Sequence, residues 1–217
     1  MPDLPFDPTK TKIIACATVI EEMQPMLPAG MAYEVLDFGL HQGGEDDDAL
    51  NRRVPAFDAA SLDAVVLSHA HIDHCGRLPL LRKRGFRGPV YANPACRDLA
   101  RILLADSAAM QARDAERVNR RRQREGQRAG VEPLYTLEDA LDVLQQFRAV
   151  RYDSPHEVLP GVELPFRDAG HILGSASVWL TLREGGLERR VVFSGDIGQY
   201  DMPILRDPEP GPAADLV

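Results

Sequence analysis

The chain has 217 residues, of which 44% are hydrophobic and 27% are charged. This length and composition are typical of one globular domain and exclude collagen-like, coiled-coil and disordered chains. The net charge of −8 excludes broad electrostatic capture of nucleic acid, so any contact with phosphate has to be local.

The apolar runs and the cysteines indicate the cellular compartment of the protein. No apolar run approaches the roughly 18 residues of a membrane span, and the first residues lack the charged-then-apolar order of a signal peptide. The three cysteines form no Cys-x-x-Cys pair, which argues against disulfides and against a zinc site built from thiolates. We therefore predict a cytoplasmic protein without a membrane partner.

The first predicted elements along the chain are mainly strands. Lys12–Ala17 and Tyr33–Leu36 have strand character, and a short helix is predicted between them at Thr18–Met26. Ala64–Leu67 is a continuous apolar run, the pattern of a strand buried on both faces. Gly88–Tyr91 predicts the next strand, after a segment with helical spacing at residues 78–84.

Two longer helices follow. Asn93 and Pro94 predict an N-cap and a first helical residue, and Thr136 with Asp139 resembles a capping box. The predicted buried face of the first helix comprises Leu99, Ile102, Leu103, Ala109 and Met110, and that of the second comprises Ala140, Leu141, Leu144 and Phe147.

The remainder of the chain is predicted as strands separated by glycine-containing turns. These strands span Ala149–Tyr152, Val162–Phe166, Ser177–Leu182 and Arg190–Phe193. Strands, then helices, then strands predict a mixed α/β sandwich and not a doubly wound sheet.

The densest set of potential ligands is His69-Ala-His71-Ile-Asp73-His74, directly after a predicted buried strand. Alternate side chains at a strand end face the same way, so His69 and His71 can share one ion, while the following turn directs Asp73 and His74 to a second. Imidazole and carboxylate ligands without cysteine favour zinc, with manganese or iron as alternatives. The competing interpretation is an exposed polar turn, and the clustering of four potential ligands argues against it.

Two further segments each place one ligand after a predicted strand. His171 lies between glycines in Asp168–Ala176, and Asp196 ends the phrase Phe193-Ser-Gly-Asp. Each segment alone is compatible with an ordinary turn. Together with the histidine cluster they predict one site, in which His171 supplies a further neutral ligand and Asp196 bridges two ions.

The other candidates have smaller predicted roles. Asp37 is predicted to hold a ligand imidazole from outside the ligand set, with an ordinary Asp-x-Gly turn as the alternative. His41 and His156 are predicted as surface or loop residues, and Cys75 as a small buried residue. The arginine-rich run 113–128 is either an arm for RNA phosphates or a solvated helix end; the second is favoured because no aromatic residue interleaves it.

The phrases SHAHIDHCGRLP, DAGHILGSA and FSGD resemble the metal motifs of the metallo-β-lactamase superfamily. They are most similar to its β-CASP branch of RNA- and DNA-processing nucleases, because glyoxalase II and the lactamases carry different residues after the histidine of the second phrase. The resemblance runs from about Asp37 to Val217.

This resemblance implies an αββα sandwich with a dinuclear zinc site. The implied ligands are His69, His71 and His171 on the first ion, Asp73 and His74 on the second, and Asp196 between them. The two ions would lower the pKa of a shared water and clamp a phosphodiester, with Asp73 as an additional proton acceptor. RNA, or another single-stranded nucleic acid, is the implied substrate.

The sequence differs from the family pattern at both ends. We expect only the first half to two thirds of the sandwich, because the β-CASP insertion and a further histidine ligand do not occur before Val217. Residues 1–36 are predicted as an atypical N-terminal segment and residues 37–217 as the truncated metallo-β-lactamase-like domain. An uncovered sheet face would favour a homodimer, or a partner in place of the second half.

Three functional hypotheses follow. The leading one is a zinc phosphodiesterase, specifically a ribonuclease of the β-CASP type. A hydrolase of the same fold acting on thioesters or lactones is an alternative. A non-catalytic subunit or fragment is another, because the second half of the family's sandwich is not seen.

Overall fold

A computed structural model of the chain describes residues 13–16 and 33–36 as backbone strands and residues 59–217 in full. The predicted helix Thr18–Met26, together with Asp37 and His41, lies outside the described residues.

The described residues form ten strands, four α-helices and one 3₁₀ turn, which lies between β2 and β3 at Ala59–Ser61. The strands are β1 (Ile13–Cys16), β2 (Tyr33–Leu36), β3 (Ala64–Val66), β4 (Val90–Ala92), β5 (Phe147–Ala149), β6 (Glu157–Leu159), β7 (Val162–Glu163), β8 (Phe166–Asp168), β9 (Ala176–Glu184) and β10 (Leu187–Phe193). The helices are α1 (Ile72–Cys75), α2 (Leu78–Lys83), α3 (Pro94–Arg124) and α4 (Leu137–Leu144).

Two five-stranded sheets organise these strands. The first has the order β2-β1-β3-β4-β5 with parallel pairing throughout. The second has the order β10-β9-β7-β6, with β8 also paired to β9, and its pairs are antiparallel. The mixed α/β class is confirmed. β1 and β2 belong to the same sheet as β3, so the predicted boundary between residues 1–36 and 37–217 would divide one sheet. This domain boundary stays a prediction.

Alternate side chains of the first sheet face two different layers. Val65 and Val90 pack in a core shared with α2, α3 and α4. Ala64, Val66 and Tyr91 pack in a second core against the antiparallel sheet. Both faces of β3 and β4 are therefore buried, as the continuous apolar run in β3 predicts. The described residues supply three layers: helices, first sheet and second sheet.

Helix α3 begins as the sequence predicts. The Asn93 side chain accepts a hydrogen bond from the Ala95 N–H at 3.0 Å, and Pro94 occupies the first helical turn. The predicted buried face is wrong for Ile102, Ala109 and Met110, all of which are exposed, while Leu99 and Leu103 are partly buried. The fully buried side chains of α3 are mainly small, so close packing against the neighbouring elements selects them: Cys96, Ala100, Leu104, Ala108 and Ala115.

Helix α4 opens with the predicted capping box. The Thr136 N–H donates to the Asp139 carboxylate at 2.8 Å, and the Asp139 N–H donates to the Thr136 hydroxyl at 3.2 Å. Ala140 is buried as predicted, but Leu141 is 46% exposed and Val143 is buried in its place. The predicted inner face extends too far, because α4 ends at Leu144 and the buried Phe147 belongs to β5.

The strands after α4 differ in extent from the prediction. β5 lies two residues earlier than the predicted Ala149–Tyr152, and β6 was not predicted. The predicted strand Val162–Phe166 is two strands, β7 and β8, separated around Pro165. Proline lacks the N–H that a continuous ladder requires, which accounts for the interruption.

The arginine-rich end of α3 is exposed and internally paired. Arg117 lies 3.1 Å from Asp114, Arg120 lies 3.4 Å from Glu116, and the Arg121 guanidinium lies 2.9 Å from Glu125. These pairs along one helix favour the interpretation as a solvated helix end. No helix in the part of the chain that the structure describes is long and apolar enough to cross a membrane.

Substitution of Gly174 tests the packing between the β8–β9 loop and α3. Its φ is +78°, and a Cβ there would lie 2.3 Å from the Cys96 nitrogen at the start of α3. Gly186 has a similar φ of +81°, but a Cβ there meets nothing within 4 Å in the described chain. We expect Gly186→Ala to lower the free energy of unfolding by about 1–2 kcal/mol, because of its left-handed backbone alone. Gly174→Ala should lower it clearly more, because the added Cβ would also overlap with the Cys96 nitrogen. Urea unfolding of the two variants measures the difference, and equal losses would contradict this packing.

Candidate metal centre

Three strand ends from two sheets meet at one place. His69 and His71 follow β3, with His71 at the N-cap of α1. His171 lies in the loop after β8, and Asp196 follows β10. The sheets are joined here directly, because the Ala176 N–H at the start of β9 donates to the Ser68 carbonyl at 2.9 Å. The fold therefore brings the predicted ligands at these three strand ends together.

Four ligand atoms converge most closely. The His71 Nδ1 atom lies 3.2 Å from His69 Nε2 and 3.1 Å from His171 Nε2. The Asp196 Oδ2 atom lies 3.7 Å from His69 Nε2 and 3.4 Å from His171 Nε2. All four atoms lie within 4.8 Å of one another. Ligand atoms about 2.0–2.1 Å from a tetrahedral zinc ion are about 3.4 Å apart, so these spacings fit one divalent cation.

A second, smaller group lies beside the first. His74 Nε2 is 3.6 Å from Asp73 Oδ2 and 3.7 Å from Asp196 Oδ1. The two carboxylate oxygens of Asp196 thus face different histidines, with Oδ2 towards His69 and His171 and Oδ1 towards His74. All six predicted ligands lie in these two groups, and Asp196 connects the groups.

The site is open on its carboxylate side. The His69 side chain is 1% exposed and His74 is 12% exposed, whereas Asp73 and Asp196 are 35% and 44% exposed. The pKa of His69 is lowered to about 3. Burial is the largest cause, and the neighbouring His74 is the second. His69 is therefore neutral at pH 7, which is the protonation state that binds a metal.

Ser68 is a site residue that the sequence analysis did not single out. Its hydroxyl lies 3.1 Å from His69 Nδ1, and the residue is 5% exposed. If the serine oxygen accepts the Nδ1 proton, the Nε2 lone pair of His69 is left facing the other ligands. The only signal in the sequence is a hydroxyl residue next to the first histidine.

Of the remaining candidates, Cys75 and His156 lie where they were predicted, and Asp37 lies outside the described residues. Cys75 is fully buried and its thiol donates to the Ala70 carbonyl at 3.2 Å, so the prediction of a small buried residue is confirmed. His156 is exposed, with its ring 5.3 Å from that of Tyr91, as predicted for a surface residue. Asp37 lies outside the described residues, and its predicted role stays a prediction.

Comparisons with known proteins point to one family. The model of the beta-lactamase superfamily domain matches residues 38–213. Ribonuclease TTHA0252 of Thermus thermophilus is 38% identical over 192 residues, covering 88% of this chain and 38% of that protein. Transcription termination factor FttA of Thermococcus kodakarensis is 33% identical over 175 residues, covering 76% of this chain and 24% of that protein.

This chain spans about two fifths of the first of these relatives and about a quarter of the second. Among solved structures, the subclass B3 metallo-beta-lactamase MEM-A1 from a soil metagenome library aligns with a TM-score of 0.39 and 20% identity. The alignment covers 64% of this chain and 43% of that one.

Removal of the Ser68 hydroxyl tests how His69 is oriented. We expect Ser68→Ala to weaken zinc binding about tenfold, because partners of ligand histidines typically contribute 10–100-fold to metal affinity. Ser177→Ala is the matched control, since Ser177 is also buried and its hydroxyl accepts from Trp179 at 3.0 Å, away from the ligands. Competition titration with a chromophoric chelator measures both affinities. Unchanged affinity in Ser68→Ala would show that Ser68 does not orient His69.

Proposed function

This chain belongs to the beta-lactamase superfamily and to its β-CASP nuclease branch, and on this premise we propose that it is a metal-dependent phosphodiesterase that cleaves RNA. The observation that carries the proposal is the convergence of three imidazole nitrogens and one carboxylate oxygen within 4.8 Å at the ends of three strands. The names of the two relatives, a ribonuclease and a transcription termination factor, support RNA as the substrate class.

We assign the six residues to two divalent cations, and zinc is the proposed metal. His69, His71 and His171 would hold one ion, Asp73 and His74 the other, and Asp196 both. Nitrogen and oxygen donors without sulfur suit zinc, with manganese or iron as alternatives. When bound, such ions supply a hydroxide nucleophile near neutral pH and neutralise charge that develops on the phosphodiester.

The chain's own residues divide the remaining tasks. The buried, neutral His69 fixes one end of the site, and Ser68 holds its ring. The half-exposed Asp73 lies at the open edge, 3.6 Å from His74, where a carboxylate can accept a proton from an attacking water. Asp196 faces both histidine groups, one with each carboxylate oxygen. Substrate would approach from the side of the two carboxylates, because they are the most exposed of these ligands.

RNA cleavage by ligand variants tests the proposal. We expect His71→Ala and Asp196→Ala each to lower the rate of metal-dependent cleavage of a single-stranded RNA by roughly a hundredfold or more, since a bound metal supplies several kcal/mol of transition-state stabilisation. His156→Ala, which removes an exposed histidine outside the site, should leave the rate unchanged. A gel assay with labelled RNA, with and without chelator, measures all three.

Three outcomes would contradict a nuclease that uses this site. Full activity in both ligand variants would show that the cleavage arises elsewhere. Turnover of a thioester or a lactone by a metal-loaded chain that leaves RNA intact would favour the alternative hydrolase, and metal binding without any turnover would favour a non-catalytic subunit. A cytoplasmic location stays a prediction.

Self-association, or a partner on the surface beside the site, is part of the proposal. Four large side chains in the eight residues after Asp196 are exposed: Ile197 by 52%, Tyr200 by 67%, Met202 by 44% and Ile204 by 89%. Several exposed large apolar side chains within one short segment favour a protein contact. We expect sedimentation velocity to show dimers or larger species that Ile204→Asp reduces. A monodisperse monomer at all concentrations would contradict self-association.

A further inference from the structure

The loop between β8 and β9 carries His171, and Ser175 fixes its shape. The Ser175 hydroxyl accepts hydrogen bonds from the backbone N–H groups of His171 at 3.0 Å and Ile172 at 3.2 Å. The Ser175 N–H donates to the Ile172 carbonyl at 2.9 Å. Ser175 is 1% exposed, so water does not compete for these bonds. The loop is therefore closed directly onto the residue that carries the imidazole.

Tyr152 holds Ser175 from outside this loop. The Tyr152 hydroxyl donates to the Ser175 carbonyl at 2.8 Å, and the Ala169 N–H donates to the same carbonyl at 3.1 Å. Both lone pairs of the carbonyl are thus used. Tyr152 is itself fixed by a parallel bridge to Phe166 of β8. Burial raises the pKa of the Tyr152 hydroxyl, so it remains a donor at neutral pH.

We propose that Tyr152 is a positioning residue for the metal ligand His171, acting through Ser175. The inference rests on the metal site of the proposed function. His171 Nε2 has to stay close to His71 Nδ1, which lies 3.1 Å away, and metal sites tolerate displacements of only about 0.5 Å. Loss of the tyrosine hydroxyl leaves the Ser175 carbonyl with one donor, which loosens the loop that sets this distance.

A purely structural hydrogen bond would behave differently. It would lower the stability of the metal-free chain without changing its metal affinity. Tyr135 offers the matched control, because it is buried and its hydroxyl donates to the Ser107 hydroxyl at the same 2.8 Å. That bond lies beside α3, in the core that does not hold the β8–β9 loop. Tyr135→Phe and Tyr152→Phe therefore remove the same atom, in each case a hydroxyl that donates a hydrogen bond at 2.8 Å.

Titration with cobalt(II), followed by its visible absorption bands, measures affinity and ligand geometry in wild type and variants. We expect Tyr152→Phe to weaken cobalt binding about 3–10-fold, less than the 10–100-fold typical of direct partners of a ligand, and Tyr135→Phe to leave it unchanged. Thermal unfolding of the metal-free proteins accompanies each titration. Ser175→Ala, which removes the acceptor of the His171 N–H, should weaken binding at least as much as Tyr152→Phe.

Three results would overturn the proposal: wild-type cobalt affinity in Tyr152→Phe, the same loss of affinity in both tyrosine variants, or wild-type affinity in Ser175→Ala. The serine variant gives the answer if Tyr152→Phe does not fold. RNA cleavage is measured separately. A wild-type chain that binds cobalt but cleaves no RNA refutes the nuclease proposal alone, whereas one that binds no cobalt refutes both.

Discussion

The site depends on one physical constraint: three imidazoles are held with their ring nitrogens 3.1–3.2 Å apart along the chain of contacts His69–His71–His171. Ring nitrogens that carry no proton repel one another at this distance, and His69, which is 1% exposed, has no water to relieve this repulsion. A divalent cation turns this arrangement into a favourable one, because each lone pair then becomes a ligand. The arrangement is stable only if the backbone around it is rigid.

That rigidity comes from the way in which the two sheets meet. β3 is buried between the helical layer and the antiparallel sheet, so its end cannot move independently of either core. The Ala176 N–H to Ser68 carbonyl bond joins the sheets at the position of the first ligand. On the other side, Gly174 lets the β8–β9 loop lie against the start of α3. His171 is thus placed by packing as well as by hydrogen bonds.

The clustering of the candidate ligands was predictable from the sequence because strand ends are a local signal. A run of four apolar residues predicts β3, and the histidines follow it within the same segment. The buried face of α3 was not predictable in the same way, because both large and small apolar residues recur at helical spacing and only the neighbouring elements select Ala100 and Ala108 over Ile102. The division between β7 and β8 at Pro165 could have been predicted from the missing N–H.

The roles of Ser68 and Tyr152 could not be predicted from the sequence. Ser68 is adjacent to a ligand, but its role depends on which ring nitrogen its hydroxyl meets. Tyr152 lies 23 residues from Ser175, and their contact exists only once β8 and β9 have paired. Roles that arise from such distant contacts require the folded chain, whereas the candidate ligands can be chosen from the sequence alone.

The central claim is that the His and Asp side chains at these three strand ends hold a divalent metal. Elemental mass spectrometry on the folded fraction from size exclusion tests it most directly, in wild type and in His71→Ala. The account predicts at least one ion per wild-type chain, and two if both groups are filled, with most of this metal lost in His71→Ala. A folded wild-type chain without metal, or a His71→Ala chain that keeps the full wild-type content, would contradict it.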